Sequence, residues 1–470
     1  MRTERPVLLI PVEVQVRELD AKVLLAYIAA KRGFISIIGP RRAMHSHLPR
    51  FPRGIYVAKS LKKASNKIFK HLRKLGHHVV AWDEEALVRL PRDLYYARRL
   101  HPATIEQVSF LLAWGQDNAE LWREYPKMPG ETAKRIVVTG NPRGDLLRAD
   151  MRSFYEKDAE GLRAKYEDFI LVNTNFSQVN CYSSSMNLFW PLDKEAKEHE
   201  LGRRTKGMNR EYAEGLSAHK RAIFEDFQKL IPALEQEFPD HNIIVRPHPA
   251  EGQEVYHRIA SQGTRVRVTN DGNVVPWLMA AKALVHNGCT TGVEAYAVGV
   301  PAVSYRATIN ERYDHDYHRL PNLLSHECFS FQELRLTLGR ILSGDLGTAD
   351  ASQRQTLIDQ HLAARDGPLA CELIVDVLEK VVDGEGGEGG SRLRDRVNSW
   401  FWATRRRLLK DGRTVARPEL ADKRAYSRHI YPTISLEQLQ TRVSRSRQAL
   451  GDRRELNVEP MGGQFYRISQ

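Results

Sequence analysis

Cysteine is scarce in this chain of 470 residues. Cys181, Cys289, Cys328 and Cys371 lie far apart and show no metal-ligand spacing. That pattern excludes a disulfide framework and a thiolate metal site, and it predicts free thiols in a reducing compartment. Long apolar runs are missing too: none reaches the roughly 18 residues of a membrane-spanning helix. The early run Val7–Val12 is too short, and too soon interrupted by Glu13 and Arg17, to be a signal peptide. A cytoplasmic protein is therefore expected. Helix-turn-helix, zinc-finger and RNA-recognition signatures are also lacking, so no nucleic-acid partner is expected.

What remains is an ordinary globular composition, 42% hydrophobic and 27% charged, with length enough for two or three cores. The net charge of +13 is unevenly spread, and residues 391–470 carry roughly +10 of it. A basic tail of this kind suits an anionic surface, such as the inner face of the cell membrane. Within it, Ser391–Lys410 joins Trp400, Phe401 and Trp402 to a set of arginines. As a helix this stretch could lie at a lipid interface or pack on the body of the protein.

Short β-rich runs alternate with helical stretches from the start. Strands are predicted at Val7–Val12, Phe34–Ile38, Gly54–Ala58, His77–Trp82, Phe110–Trp114 and Arg135–Thr139. Helices fall between them at Glu18–Lys31, Ser60–Leu75 and Gln116–Trp122. A helical connector over 151–167 leads to a second series, which opens at Phe169–Asn175. Strands then recur near 242–246, 265–269, 282–286 and 301–304, and helices are predicted over 206–238 and 351–382. This rhythm predicts an α/β protein with parallel sheets covered by helices. The domains read as 1–150, a connector at 151–167, a second domain at 168–382, a glycine-rich linker at 383–391, and a basic extension at 392–470.

Polar residues gather at the strand ends, where open α/β sheets bind ligands. In His286–Pro301 a buried strand runs into a small-residue turn, a short helix and a Gly-Val-Pro return. Thr290 and Thr291 open that helix with hydroxyls and free N–H groups, an arrangement suited to phosphate. Asn287 precedes them, and Glu294 follows one turn later, placed to accept hydrogen bonds from sugar or ribose hydroxyls. The same residues could equally form a plain helix cap. Upstream, Arg246-Pro247-His248-Pro249 presents a guanidinium and an imidazole from a turn stiffened by two prolines. Asn173, Thr174, Asn175 and Ser177 end the first strand of the second series, where amides could grip a donor phosphate.

In the first series, Asp83, Glu84 and Glu85 follow a strand. Adjacent carboxylates raise one another's pKa, which suits general acid–base work, or one could be a nucleophile in sugar chemistry. A solvated acidic helix start is the other reading. Arg17, Glu18 and Asp20 follow the first strand, and Asn141 and Arg143 follow the sixth. Arg17, Glu18, Asn141 and Arg143 are candidates for acceptor binding or for lining a cleft. Tyr313-Asp314-His315-Asp316-Tyr317-His318 has metal-like spacing but reads better as a loop at the cleft.

Taken together, Arg17-Glu18-Leu19-Asp20, Trp82-Asp83-Glu84-Glu85, Ala113-Trp114-Gly115, Thr139-Gly140-Asn141-Pro142-Arg143, Asn173-Thr174-Asn175-Phe176, Arg246-Pro247-His248-Pro249 and Gly292-Val293-Glu294-Ala295 resemble the bacterial surface carbohydrate biosynthesis proteins. These are similar to capsule-type Kdo transferases and, more loosely, to CDP-glycerol glycerophosphotransferases. The likeness spans about residues 5–345. It implies a GT-B-like fold of two Rossmann-like domains facing a cleft, the second binding a nucleotide-activated sugar and the first a glycan or glycolipid acceptor.

On that reading Asn173, Asn175, Arg246, His248, Asn287, Thr290, Thr291 and Glu294 bind the donor, with CMP-Kdo as the candidate, and the Asp83–Glu85 run supplies catalysis. Positive groups can stabilise a leaving phosphate, so metal-independent chemistry without a cofactor is expected. A polyol-phosphate transferase, a sugar 2-epimerase and a non-catalytic membrane-associated assembly protein are the alternatives.

Overall fold

The computed structural model describes residues 5–88, 90–190, 200–205, 208–314, 319–349, 352–384, 397, 398, 400, 401, 404, 405 and 425–470. In the first half, β1 (Val7–Val12), β2 (Ile35–Pro40), β3 (Ile55–Ala58), β4 (His78–Ala81), β5 (Phe110–Ala113) and β6 (Ile136–Val138) form a parallel sheet in the order β2-β1-β3-β4-β5-β6. In the second half come β7 (Phe169–Asn173), the small pair β8 (Phe189–Trp190) and β9 (Glu200–Leu201), β10 (Asn242–Arg246), β11 (Val266–Val268), β12 (Ala283–His286), β13 (Ala302–Tyr305) and β14 (His326–Cys328). Apart from the small pair, these strands line up as β11-β10-β7-β12-β13-β14, also parallel. That is the Rossmann order, with its switch point between β7 and β12.

Runs such as Phe169-Ile170-Leu171-Val172 are buried throughout because helices cover both faces of a parallel sheet. The helix Gln15–Lys31 is buried on almost every side from Glu18 to Ala30. It lies between the first sheet and two later helices, Ala370–Val382 and Leu436–Ala449, and a helix buried all round needs no polar stripe. This is why Leu24 through Ala30 reads as one apolar block.

Two segments cross from where the sequence placed them. The helix Ala370–Val382, expected within the second domain, docks on the first half. The Asp145 carboxylate accepts the backbone N–H groups of Ala370 and Cys371 at 2.7 and 2.8 Å, an anion at a helix N-terminus. Arg32 pairs with Asp376 at 2.6 Å on the same helix. Gly140 permits this approach, since a Cβ there would lie 3.0 Å from the Ala370 Cβ.

The basic extension also contains a folded part. After the helix Leu436–Ala449 the chain forms a hairpin of β15 (Asn457–Gly462) and β16 (Phe465–Ser469), and β16 pairs antiparallel with β2. This extends the first sheet to eight strands among the described residues. The hairpin escaped sequence reading because Pro460 and Gly462 sit inside β15, which as an outer strand tolerates a missing donor. β14 escaped because His-Glu-Cys has no alternating pattern. Most of the glycine-rich linker, most of Ser391–Lys410, and His315–His318 of the metal-like run lie outside the described residues. Among the described residues no helix is long and apolar enough to cross a membrane, and no group of three or more His, Cys, Asp or Glu side chains is arranged to hold a metal ion.

Candidate functional site

The second sheet brings three strand ends together at its switch point. Asn173 ends β7 in register with Arg246 of β10 on one side and with His286 of β12 on the other. The turns that follow, Thr174, Pro247–Pro249 and Cys289–Thr291, therefore converge on one spot. They line a cavity together with Glu294, and Arg17 and Arg143 of the first half complete the wall. The two motifs of the second half thus share one cavity with cations from the first.

His248 is fixed by its own turn. The Ala250 N–H donates to its Nδ1 at 3.1 Å, which leaves the ring proton on Nε2. Burial, reinforced by the Arg17 charge, lowers its pKa to about 4. The ring is therefore a neutral hydrogen-bond donor at physiological pH rather than a cation.

Below the turn lies Glu251, a residue that sequence reading missed. It accepts from the His248 N–H at 3.0 Å, from Tyr256 Oη at 2.6 Å and from Thr174 Oγ1 at 3.1 Å. Burial raises its pKa to about 7, against the pull of these donors. It ties the end of β7 to the His248 turn. Its place just after Pro249-Ala250 was the available signal.

The helix Thr291–Val298 begins against the His286 ring. His286 accepts the Gly288 N–H at Nδ1 and bonds Ser325 Oγ through Nε2 at 2.9 Å. Gly292 is required by that packing, since a Cβ would lie 2.6 Å from His286 Nε2. Several buried polar atoms around the cavity have no hydrogen-bond partner among the described residues: Asn173 Oδ1, Asn270 Nδ2 and Arg17 Nε. Thr291 Oγ1 joins them, with only the Cys289 thiol beside it, a weak partner. Buried polar atoms left this way are costly unless a ligand or water meets them.

The carboxylates of the first half stand one step behind the wall. Glu85 pairs with Arg17 at 3.0 Å, and Glu84 lies 3.7 Å from Arg143 while accepting from Trp82 Nε1 at 2.8 Å. Burial would raise the Glu85 pKa, but Arg17, Arg99 and Lys59 outweigh it and hold the group well below the usual carboxylate range. This reverses the expectation drawn from adjacent acids, because the nearby arginines and lysine count for more than the neighbouring carboxylates. Asp83 faces away from the cavity: it is fully engaged by Arg99 at 3.1 Å (Nε) and by Tyr95 Oη at 3.0 Å.

Other candidates are also occupied or elsewhere. Glu18 accepts from Lys22 and Lys59 and from the N–H groups of Glu13 and Val14, so it anchors the helix start rather than a ligand. The Arg246 guanidinium binds the carbonyls of Asp271 and Gly272 at 2.9 and 3.1 Å and stacks over Trp277. Burial lowers its pKa to about 9, which leaves it charged. It shapes the 270–273 turn that forms part of the cavity wall. Asn141 caps the short helix carrying Arg143 by accepting the Arg143 N–H at 3.1 Å. Asn175 is not among the cavity-lining residues, and Asn287 faces a separate small cavity near Arg306 and Asp314.

No protein-family model matches the chain, and no curated protein matches it. Solved structures similar to it include the wall teichoic acid polymerase TagF, 13% identical, covering 82% of this chain and 90% of that one at a TM-score of 0.44. The UDP-GlcNAc 2-epimerase of Methanocaldococcus jannaschii is 14% identical over 79% of this chain and 99% of that one, with a TM-score of 0.44. The enzyme of that name from Neisseria meningitidis is 12% identical over 80% and 100%, with a TM-score of 0.45. At TM-scores below 0.5 these likenesses carry no argument about this chain. The chain is an α/β protein of GT-B-like build, two Rossmann-like halves facing one cavity.

Proposed function

We propose that the protein is a transferase of surface-carbohydrate biosynthesis that moves a sugar from a nucleotide-activated donor to a glycan or glycolipid acceptor. The observation that carries this reading is the shared cavity: His248, Thr290, Thr291 and Glu294 from one half face Arg17 and Arg143 from the other. The neutral His248 ring, the Thr290 and Thr291 hydroxyls and two guanidinium groups suit a phosphate. Glu294 holds Arg143 through Oε1, and its other oxygen suits a sugar or ribose hydroxyl. A ulosonic sugar on CMP is the donor suggested by the resemblance of the motifs.

In the proposed reaction His248 donates Nε2–H to a phosphate oxygen, and Arg17 and Arg143 stabilise the charge that develops on the departing phosphate. When the donor phosphate draws Arg17 away, Glu85 behind it is uncovered and takes the proton of the acceptor hydroxyl, whose oxygen bonds the anomeric carbon as the nucleotide leaves. The free protein holds Glu85 ionised but weakly basic because Arg17 lies beside it. A phosphate engaging Arg17 offsets that charge and raises the basicity of Glu85 when the donor is bound. Closure of the two halves excludes water and so protects the donor from hydrolysis.

The test is Glu85→Gln assayed with CMP-, UDP- and CDP-activated donors. Nucleotide affinity should change less than threefold while transfer falls by roughly 10²–10⁴. Unchanged transfer would remove Glu85 from the reaction.

A further inference from the structure

A second, larger cavity of about 510 Å³ adjoins the first and shares Val16, Pro249, Asn270, Gly272 and Asn273 with it. Its size falls in the roughly 300–1,000 Å³ range of small-molecule sites. Four parts of the chain line it: the start of the helix Gln15–Lys31, Pro249 and Gln253, the 268–273 turn of the second half, and residues 429–432 with Arg442 from the C-terminal segment. The C-terminal wall is held in place from both sides. His429 donates Nε2–H to the Pro249 carbonyl at 2.9 Å and stacks on Tyr182 with ring centres 4.3 Å apart. On the other side Tyr466 Oη donates to the Ile434 carbonyl at 2.6 Å, and Tyr466 itself sits in the first sheet.

The chemistry of this cavity differs from that of the first. Arg442, its one lining Lys or Arg, is neutralised by Asp20 at 2.8 Å, and the other Asp20 oxygen accepts from Tyr155 at 2.9 Å. Among the described residues the wall therefore offers no spare Lys or Arg to a phosphate. It offers amides and a hydroxyl on Gln15, Gln253, Thr269 and Asn270, the acid Asp271, which disfavours an anion, and apolar surface on Ile430 and Pro432. Gln15 Oε1 and Asn270 Nδ2 are buried and have no hydrogen-bond partner among the described residues. Neutral donors and acceptors beside small apolar faces match the hydroxyl and C–H faces of a sugar ring.

We propose that this second cavity is the acceptor subsite, that it takes neutral sugar residues of a glycan, and that the C-terminal segment is one of its walls. The proposal rests on the donor reading of the first cavity, because the shared residues place the end of a bound glycan next to the activated sugar. It gives residues 425–442 a role in recognition.

The experiment uses the full-length chain on an immobilised array of neutral and phosphorylated oligosaccharides, with nucleotide affinity measured in parallel by calorimetry on CMP, UDP and CDP. Two variants are compared with wild type. Gln253→Trp fills the second cavity from a residue that does not line the first. Gln15→Ala removes an amide whose oxygen has no partner in the protein. Wild type should retain neutral oligosaccharides, and each variant should lose at least fivefold in that retention with less than twofold change in nucleotide affinity. Nucleotide binding without retention of any neutral oligosaccharide, retention of phosphorylated ones alone, or retention unaffected by both variants overturns the subsite. Failure of wild type to bind any of the nucleotides would instead sink the donor reading on which it stands.

Discussion

Arg143 Nη2 lies 2.6 Å from Glu294 Oε1, and this buried ion pair joins the two halves of the molecule across the cavity. Arg143 also faces Glu84 and stacks against Trp114 at 5.6 Å. One guanidinium thus links a carboxylate of each half.

Removing it leaves buried acid without compensation. Arg143→Met is expected to lower stability by about 3 kcal/mol, since breaking one side of a buried pair costs more than the pair contributes. Urea unfolding of the variant against wild type measures this. A loss under about 1 kcal/mol would show that the halves are held together elsewhere.

Thr291 separates a binding role from a packing role. Its hydroxyl oxygen is buried with only the Cys289 thiol beside it. Thr291→Val should therefore leave the stability of the free protein within about 1 kcal/mol of wild type, because no good hydrogen bond is lost. The same change should weaken nucleotide binding about tenfold. A marked fall in melting temperature with unchanged affinity would assign the hydroxyl to structure.

Glu251 predicts a pH dependence. Its folded pKa of about 7 lies above the ordinary carboxylate value of 4.5, so the folded protein binds this proton more tightly than the unfolded chain does. The contribution of Glu251 to stability is therefore greatest at low pH and is lost as pH rises from 4.5 through 7. His248, depressed to about 4, acts in the opposite sense between pH 4 and 6.5. The clean observable is the difference between Glu251→Gln and wild type, which should shift in favour of the variant by a few kcal/mol at most between pH 4.5 and 7.5. Denaturant unfolding across that range measures it, and a flat difference would contradict the buried ionisation.

The C-terminal hairpin predicts the effect of truncation. Without residues 435–470, β2 loses its partner β16 and becomes an exposed strand edge. The Tyr155–Asp20 contact beside the cavity loses its Arg442 support as well. The truncated chain should aggregate, which size-exclusion chromatography detects. A monodisperse, fully folded truncation product would mean that the hairpin is dispensable.

Much of this architecture is legible in the sequence. Buried parallel strands appear as short apolar runs, and β1 and β7 fall where Val7–Val12 and Phe169–Asn175 place them. The clustering of His248, Thr290, Thr291 and Glu294 follows from strand order, because parallel strands present all their C-terminal ends on one side. What sequence does not convey is which polar groups are already satisfied. Arg246 and Glu18 look like ligands in the sequence, yet in the fold they hold backbone and lysine partners. Glu251 is absent from the residues singled out in the sequence, because its tie to Thr174, 77 positions earlier, exists only in the fold. The hairpin likewise depends on a pairing with β2 more than 400 residues away, which no local pattern encodes.

The central claim is that residues of both halves grip one nucleotide in one cavity. Calorimetric titration of the full-length protein with CMP, CDP and UDP, repeated on His248→Ala and Arg17→Ala, tests it most directly. The account predicts saturable binding of at least one nucleotide, weakened tenfold or more by each substitution although the two residues lie on opposite halves. Absence of binding, or binding that only one half's substitution affects, would contradict it.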